Sequence, residues 1–266
     1  MPPVQPLPYA HEIQVALRAA REAGATALQM QGGVIANDKA DGSPVTAGDL
    51  AADEIIRHHL GLAFPADAIL SEERPDDQPR LDNRRLWIVD PIDGTKNFVR
   101  GMPVWATLIA LSDHDRVVVG VVSAPALGRR WWAARDEGAW TSDLDGSVRP
   151  CHVSQVSSLG DAYLSYSSLN SWPDAGEGGG IHGLLGQVWR SRAFGDFWSH
   201  VLVAEGAVDV SCEPSVSLWD IASLQVIVEE AGGRFTDLAG EAHPDRGSIL
   251  CTNGLLHDAA LSLLRT

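Results

Sequence analysis

The chain has 266 residues, 45% of them apolar and 21% charged, enough to bury a large core and too many for a small disulfide-stapled module. Acidic residues outnumber basic ones 35 to 20, a formal charge of −15, and such a surface repels phosphate backbones and anionic lipid headgroups. The expected partners therefore include no nucleic acid and no membrane, and the composition excludes a disordered or collagen-like chain.

Residues 1–10 carry four prolines and no basic residue or apolar stretch, unlike a secretory or transit peptide. Ile13, Leu17, Ala20, Ala23 and Ala27 recur at helical spacing, which predicts an amphipathic first helix. Residues 32–44 read as a loop or short hairpin. Thr46 followed by Asp49 has the form of a capping box, and Ala52, Ile56, Leu60 and Ala63 continue a helical stripe, so a second helix is expected to start near Thr46. Strands are expected at 68–71, 86–89, 104–111, 117–123 and 130–134, each bounded by turn residues. These elements predict helices covering one face of a largely antiparallel sheet. The longest mainly apolar run, 117–127, is too short to span a bilayer.

From about Pro150 the pattern alternates. Strands are expected near 163–166, 188–193, 208–211, 233–236 and 248–251, and helices at 196–205, at 220–231 and from Leu255. The expected division is an N-terminal α+β lobe, 1–150, and a C-terminal α/β lobe, 151–266. Residues 171–180, with Pro, Asp and four glycines, read as a mobile loop. Cys151, Cys212 and Cys251 form no C-x-x-C pair, which predicts free thiols and a cytoplasmic setting.

The densest chemical signal is the run from Trp87 to Phe98. An apolar strand ends at Asp90, Pro91 is expected to stop further ladder pairing, and Asp93 precedes a Gly94-Thr95 step that can open a helix. Paired carboxylates can hold hard divalent cations beside backbone N–H groups that bind anions, which is what metal-assisted phosphoryl chemistry requires. Ser71-Glu72-Glu73 ends another apolar strand and Trp219-Asp220 opens a helix. Each feature alone also fits a plainer role: Asp90-Pro91 a turn, Asp93-Gly94 a hairpin, Asp220 a helix cap, Glu72-Glu73 solvated surface.

Together, Asp90-Pro91-Ile92-Asp93-Gly94-Thr95, Ser71-Glu72-Glu73, Trp219-Asp220, the element from Val45 to Asp49 and the element from Glu229 to Gly233 resemble the inositol monophosphatase family over nearly the whole chain. The resemblance implies an α/β (α+β) fold, a layered α/β/α/β/α sandwich. It implies up to three Mg²⁺ ions, replaceable by Mn²⁺, held by Glu72, Asp90, Asp93, Asp220 and the carbonyl of Ile92. Thr95, hydrogen-bonded to Asp49, would orient and deprotonate the attacking water. Glu72, Ile92, Asp93, Gly94, Thr95 and Asp220 would also touch the phosphate ester. Ser71 and Gly48 depart from the residues usual in the family.

In the second lobe, Gly195-Asp196 stands where family members that act on inositol carry a threonine against the ring, and Glu213 matches a position that contacts the alcohol. Two carboxylates there suit a cationic alcohol better than a neutral polyol. Arg192 is the candidate to steer either of them by an ion pair. With the run from Arg129 to Arg135 and that from Tyr166 to Trp172, this pattern looks like the actinobacterial branch that acts on histidinol phosphate. Trp131 and Trp132 could instead be strand packing, and Asp196 a helix cap. An inositol-1-phosphate or sugar-phosphate phosphatase and a regulatory binding protein are the alternative readings. The partner implied is a small phosphate ester, and the family implies a homodimer, for which nine tryptophans leave room.

Overall fold

The computed structural model describes residues 8–32, 37–38, 44–75, 83–172, 180–242 and 247–265. Most of the proline-rich lead and most of the glycine-rich loop at 171–180 lie outside them. Helix α1 (Ala10–Met30) and helix α2 (Ala47–Ala63) pack on each other at the predicted positions. Between them β1 (Asn37–Asp38) and β2 (Pro44–Val45) pair antiparallel, which selects the short hairpin over the loop as the reading of this segment. The capping box is present: Asp49 Oδ2 accepts from Thr46 N at 2.8 Å and Thr46 Oγ1 accepts from Asp49 N at 3.4 Å.

A seven-stranded sheet follows in the order β3-β4-β5-β6-β7-β8-β9. Its strands are β3 (Ala68–Ser71), β4 (Arg85–Asp93), β5 (Ala106–Asp113), β6 (Arg116–Ala124), β7 (Arg129–Ala134), β8 (Ala139–Ser142) and β9 (Val148–Pro150). Only β3 and β4 pair in parallel. The short strands β8 and β9, with β9 at the sheet edge, carry little alternation, and the sequence pattern predicts neither. Pro91 does not end β4. The ladder to β5 shifts register between Asp90 and Asp93 and resumes at Asp93↔Ala106, a bulge in which the missing proline N–H costs no ladder bond.

Both faces of this sheet are covered, not one. Trp87, Val89, Ile109 and Leu111 pack under α1 and α2. Their sequence neighbours Ile88, Leu108 and Ala110 point the other way, onto α5 (Asp196–Ala204) and α6 (Leu218–Glu230). Both alternating sets are apolar, so each needs a cover. The second sheet runs β11-β10-β12-β14-β13, from β10 (Tyr163–Tyr166), β11 (Arg190–Arg192), β12 (Val210–Glu213), β13 (Arg234–Thr236) and β14 (Ile249–Thr252). Strands β11, β10 and β12 are parallel and the rest antiparallel. Phe235, Ile249 and Cys251 face α5 and α6, while Leu164, Val210 and Leu250 pack with α4 (Gly180–Leu185) and α7 (His257–Leu264). The result is the expected α/β/α/β/α sandwich. No described helix is long and apolar enough to cross a membrane.

The run from Arg129 to Arg135 serves this packing. Trp131 is buried on one face of β7 and Trp132 is half-buried on the other. Trp131 Nε1 donates to Glu205 Oε1 at 2.6 Å, and Arg129 and Arg149 also pair with that carboxylate. Glu205 thus ties the end of α5 to the first sheet. Glu205→Ala is expected to cost about 3 kcal/mol, the lower end for a broken buried pair because Arg149 stays partly hydrated. Urea denaturation checks this, and a loss under about 0.5 kcal/mol would make the node ornamental.

Candidate active site

The ends of β3 and β4 and the starts of α3 (Thr95–Val99), α5 and α6 converge on a cavity of about 210 Å³. Glu72, Asp90, Ile92, Asp93, Gly94, Thr95, Asp196, His200, Glu213 and Asp220 line it. Asp90, Asp93 and Asp220 each offer an oxygen within 4.8 Å of the others.

Local structure explains how each carboxylate is aimed. Asp90 Oδ1 accepts from Ile92 N at 3.0 Å, across the bulge. Asp93 Oδ2 accepts from Phe197 N at 2.7 Å, so a residue of the first sheet caps α5. Asp220, at the third position of α6, accepts from Ser217 N at 2.7 Å. It therefore fills both roles the sequence allowed, cap and candidate ligand. Gly94 has φ +82, and a Cβ there would lie 3.0 Å from Val104 O and 3.3 Å from Asp196 Oδ2, which leaves only glycine for this turn.

Glu72 follows β3, and its turn is clamped from both sides. Ser71 Oγ donates to the fully buried Asp53 at 2.6 Å, and Arg74 Nε donates to the same carboxylate at 2.8 Å. This gives Ser71 a function. The other departure, Gly48, sits where a Cβ would be 3.0 Å from the Phe98 ring.

Thr95 Oγ1 lies 3.0 Å from Ile92 O and 3.5 Å from Asp49 Oδ1. Its single proton therefore goes mainly to the carbonyl, with Asp49 as the more distant acceptor. Asp49 keeps Oδ2 on Thr46 and turns Oδ1 toward Thr95, so capping and facing Thr95 coexist. Asp196 has φ +52. It is the first residue of α5, after the N-cap Gly195, and its Oδ2 accepts from Asn97 Nδ2 at 2.9 Å.

The ion pair expected from Arg192 is not formed. Arg192 is exposed and donates to the neighbouring Ser191 O at 2.8 Å. Glu213 instead faces His200, with Nε2 3.3 Å from Oε1 but off the line of an aligned hydrogen bond. Arg192 and Gly195 lie outside the cavity lining. Sequence reasoning missed Asn97, His200, Asp53 and Arg74. The available signal for His200 was its place one helical turn after Asp196.

Among the described residues no Lys or Arg pairs with Asp90, Asp93, Asp196 or Asp220. Burial, reinforced by Glu72, Asp93 and Asp220, holds the Asp90 carboxyl well above the ordinary range. Burial, with Asp196 and Asp220, does the same to Asp93. Burial raises Asp220 to about 7, with Glu72 and Glu213 adding repulsion, and raises Asp196 to about 6, with Glu213 adding to it. Buried, mutually repelling oxygen donors without a nitrogen or sulfur ligand fit a hard divalent cation.

This has a measurable consequence. Carboxyls titrating higher folded than unfolded contribute stability that is complete below the unfolded value of about 4 and is lost as pH rises through the folded one. For Asp196 and Asp220 that loss centres on about 6 and about 7. A divalent cation binds the ionised forms, so the Tm increase it produces is expected to grow between about pH 5 and 8. Melts with Mg²⁺ and with chelator test this, and a pH-independent increase would move the ion away from these carboxylates.

Oxygen donors gathered at a strand-to-helix turn with backbone N–H groups, on this layered fold, define a metal-dependent phosphomonoesterase. The family model for the inositol monophosphatase family matches residues 9–266, and the chain belongs to that family. It is 51% identical to a histidinol-phosphatase of Streptomyces coelicolor, covering 85% of both chains. It is 54% identical to a histidinol-phosphatase of Mycobacterium tuberculosis, covering 85% of this chain and 86% of that one. Among solved structures it resembles the Thermotoga maritima IMPase with a TM-score of 0.85 at 30% identity, over 96% of this chain and 97% of that one.

Proposed function

We propose that this chain hydrolyses L-histidinol phosphate to L-histidinol and phosphate with Mg²⁺. One observation carries the substrate: two carboxylates, Asp196 and Glu213, line the cavity, and among the described residues neither forms an ion pair with a Lys or Arg, Lys96 acting on Asp196 only through space. A desolvated carboxylate without a counter-charge is costly, and the ammonium and partly protonated imidazole of this alcohol supply one. The names of the similar actinobacterial proteins support the same substrate.

Glu72, Asp90, Asp93, Asp220 and the carbonyl of Ile92 would hold up to three Mg²⁺ ions, or Mn²⁺ in their place. Bound ions supply charge neutralisation at the phosphate and a lowered pKa for water. The N–H groups of Gly94 and Thr95, at the first turn of α3, bind phosphate oxygens. Thr95 orients the attacking water, and Asp49 stands behind Thr95 as the proton acceptor. Asp196 and Glu213 bind the alcohol, with Gly195 setting the backbone of Asp196, and Arg192 is left to the rim. In this reading residues 1–150 form the lobe with most ligands and 151–266 the lobe that selects the alcohol.

The enzyme reads as cytoplasmic, supported by three buried free cysteines, and as a homodimer, supported by exposed Trp140, Leu144 and Val148 around the β8–β9 edge.

Exchange of Asp196 for the threonine that the polyol reading requires tests the substrate. A charge-assisted hydrogen bond of about 1.5 to 3 kcal/mol corresponds to a roughly ten- to hundredfold lower kcat/KM for histidinol phosphate in Asp196→Thr. The loss is expected mostly in KM, with inositol 1-phosphate unchanged or improved. A uniform loss would make Asp196 structural, and a wild type preferring inositol 1-phosphate would reject the substrate.

A further inference from the structure

The two carboxylates assigned to the alcohol are each held by a side chain with no part in the phosphate chemistry. Asn97 has one amide nitrogen with two hydrogens, and both are committed: Nδ2 donates to Val104 O at 2.9 Å and to Asp196 Oδ2 at 2.9 Å. The carbonyl bond orients the amide, and the oriented amide selects one position for the carboxylate. Asp196 needs such a hold, because φ +52 is a conformation that residues with a Cβ rarely adopt. Its neighbour Phe197 is bound through N–H to Asp93. The first turn of α5 is thus fastened twice to the turn that carries the phosphate-binding backbone.

His200 does the equivalent for Glu213. Asp196 and His200 lie one turn apart on α5, and Ser211 and Glu213 lie on the same side of β12. His200 is 1% exposed, with Nδ1 2.8 Å from Ser211 Oγ and Nε2 3.3 Å from Glu213 Oε1. A carboxylate only accepts, so in a hydrogen bond between them Nε2 is the donor, and the Ser211 hydroxyl can serve Nδ1 either as donor or as acceptor. The serine contact fixes the plane of the ring. Glu213 lines the cavity and is 8% exposed, and its buried Oε1 lies against His200 without an aligned hydrogen bond, so this oxygen keeps unused acceptor capacity.

We infer that Asn97 and His200 are positioning residues that preorganise Asp196 and Glu213 as a two-carboxylate clamp for the cationic group of the leaving alcohol. The inference rests on the histidinol phosphate reading and extends it to residues that touch neither phosphate nor metal. Fixed acceptors spare the substrate the cost of ordering them, so the benefit falls on binding of the cationic alcohol and spares neutral esters.

The test compares wild type with Asn97→Ser, His200→Ala and His200→Gln, using histidinol phosphate, inositol 1-phosphate, and L-histidinol as a competitive inhibitor. Both Asn97→Ser and His200→Ala are expected to raise KM for histidinol phosphate and Ki for L-histidinol about tenfold, with kcat within about twofold and inositol 1-phosphate kinetics unmoved. His200→Gln restores a donor toward Glu213 and is expected to recover most of the loss. If His200→Ala does not fold, His200→Asn, too short to reach Glu213, is judged by the same criteria. Equal losses on both esters, or an unchanged Ki for L-histidinol, overturn the clamp while the substrate reading stands on the wild-type preference. A wild type that prefers inositol 1-phosphate overturns both.

Discussion

Asp93→Asn is expected to lower phosphate release by about three orders of magnitude or more while making the metal-free protein more stable. The first effect follows from removing one charge from a set of three carboxylates that share a 4.8 Å cluster. Metal-assisted stabilisation of a transferring phosphoryl group is worth several kcal/mol, and each 1.4 kcal/mol is about tenfold in rate. The second follows from electrostatics. Asp93 is destabilised by burial and by Asp196 and Asp220, and a neutral amide relieves that repulsion. Its carbonyl oxygen can still accept from Phe197 N, so α5 keeps its cap. Phosphate-release assays, Mg²⁺ titration calorimetry and melts with chelator read the three quantities together. Near wild-type turnover would remove Asp93 from the metal set, and lower apo stability would mean that the cap outweighs the charge.

Thr95→Ala is the second large effect, a fall in kcat of about two orders of magnitude with the fold retained. Thr95 is partly exposed at the start of a short helix, and its hydroxyl bonds are to Ile92 O and Asp49. Its loss removes the group that orients water and little packing. Asp49→Asn separates the two jobs of that carboxylate. The amide oxygen can still accept from Thr46 N and preserve the cap of α2, whereas proton acceptance through Thr95 is lost. A stability change below about 1 kcal/mol with a kcat loss of similar size to that of Thr95→Ala is therefore expected. Unaltered kcat in both variants would leave these residues as helix-capping groups only.

The sequence alone determined the main elements of the first lobe and the string that carries the clustered carboxylates, for local reasons. The near-continuous apolar runs of β4 and β5 and the helical stripes in α1 and α2 are written in neighbouring residues, and so is the capping box at Thr46 and Asp49. The turn from Asp90 to Thr95 is likewise a contiguous string whose chemistry can be read without coordinates. Tertiary structure alone decided what joins distant strings. Pro91 continues β4 because the bulge against β5 tolerates it. Two alternating apolar sets demand cover on both faces, and the second cover is α5 and α6, from the far half of the chain. Arg192 turns to solvent, while Asn97, ninety-nine residues from Asp196, holds that carboxylate. Asp93 caps a helix 104 residues away, and Asp53 and Arg74 steady the turn of Glu72. Each of these is a pairing of polar groups across elements. It has no period for a sequence to display, because its geometry exists only once the sheets and helices have packed and left those groups with no water to bind.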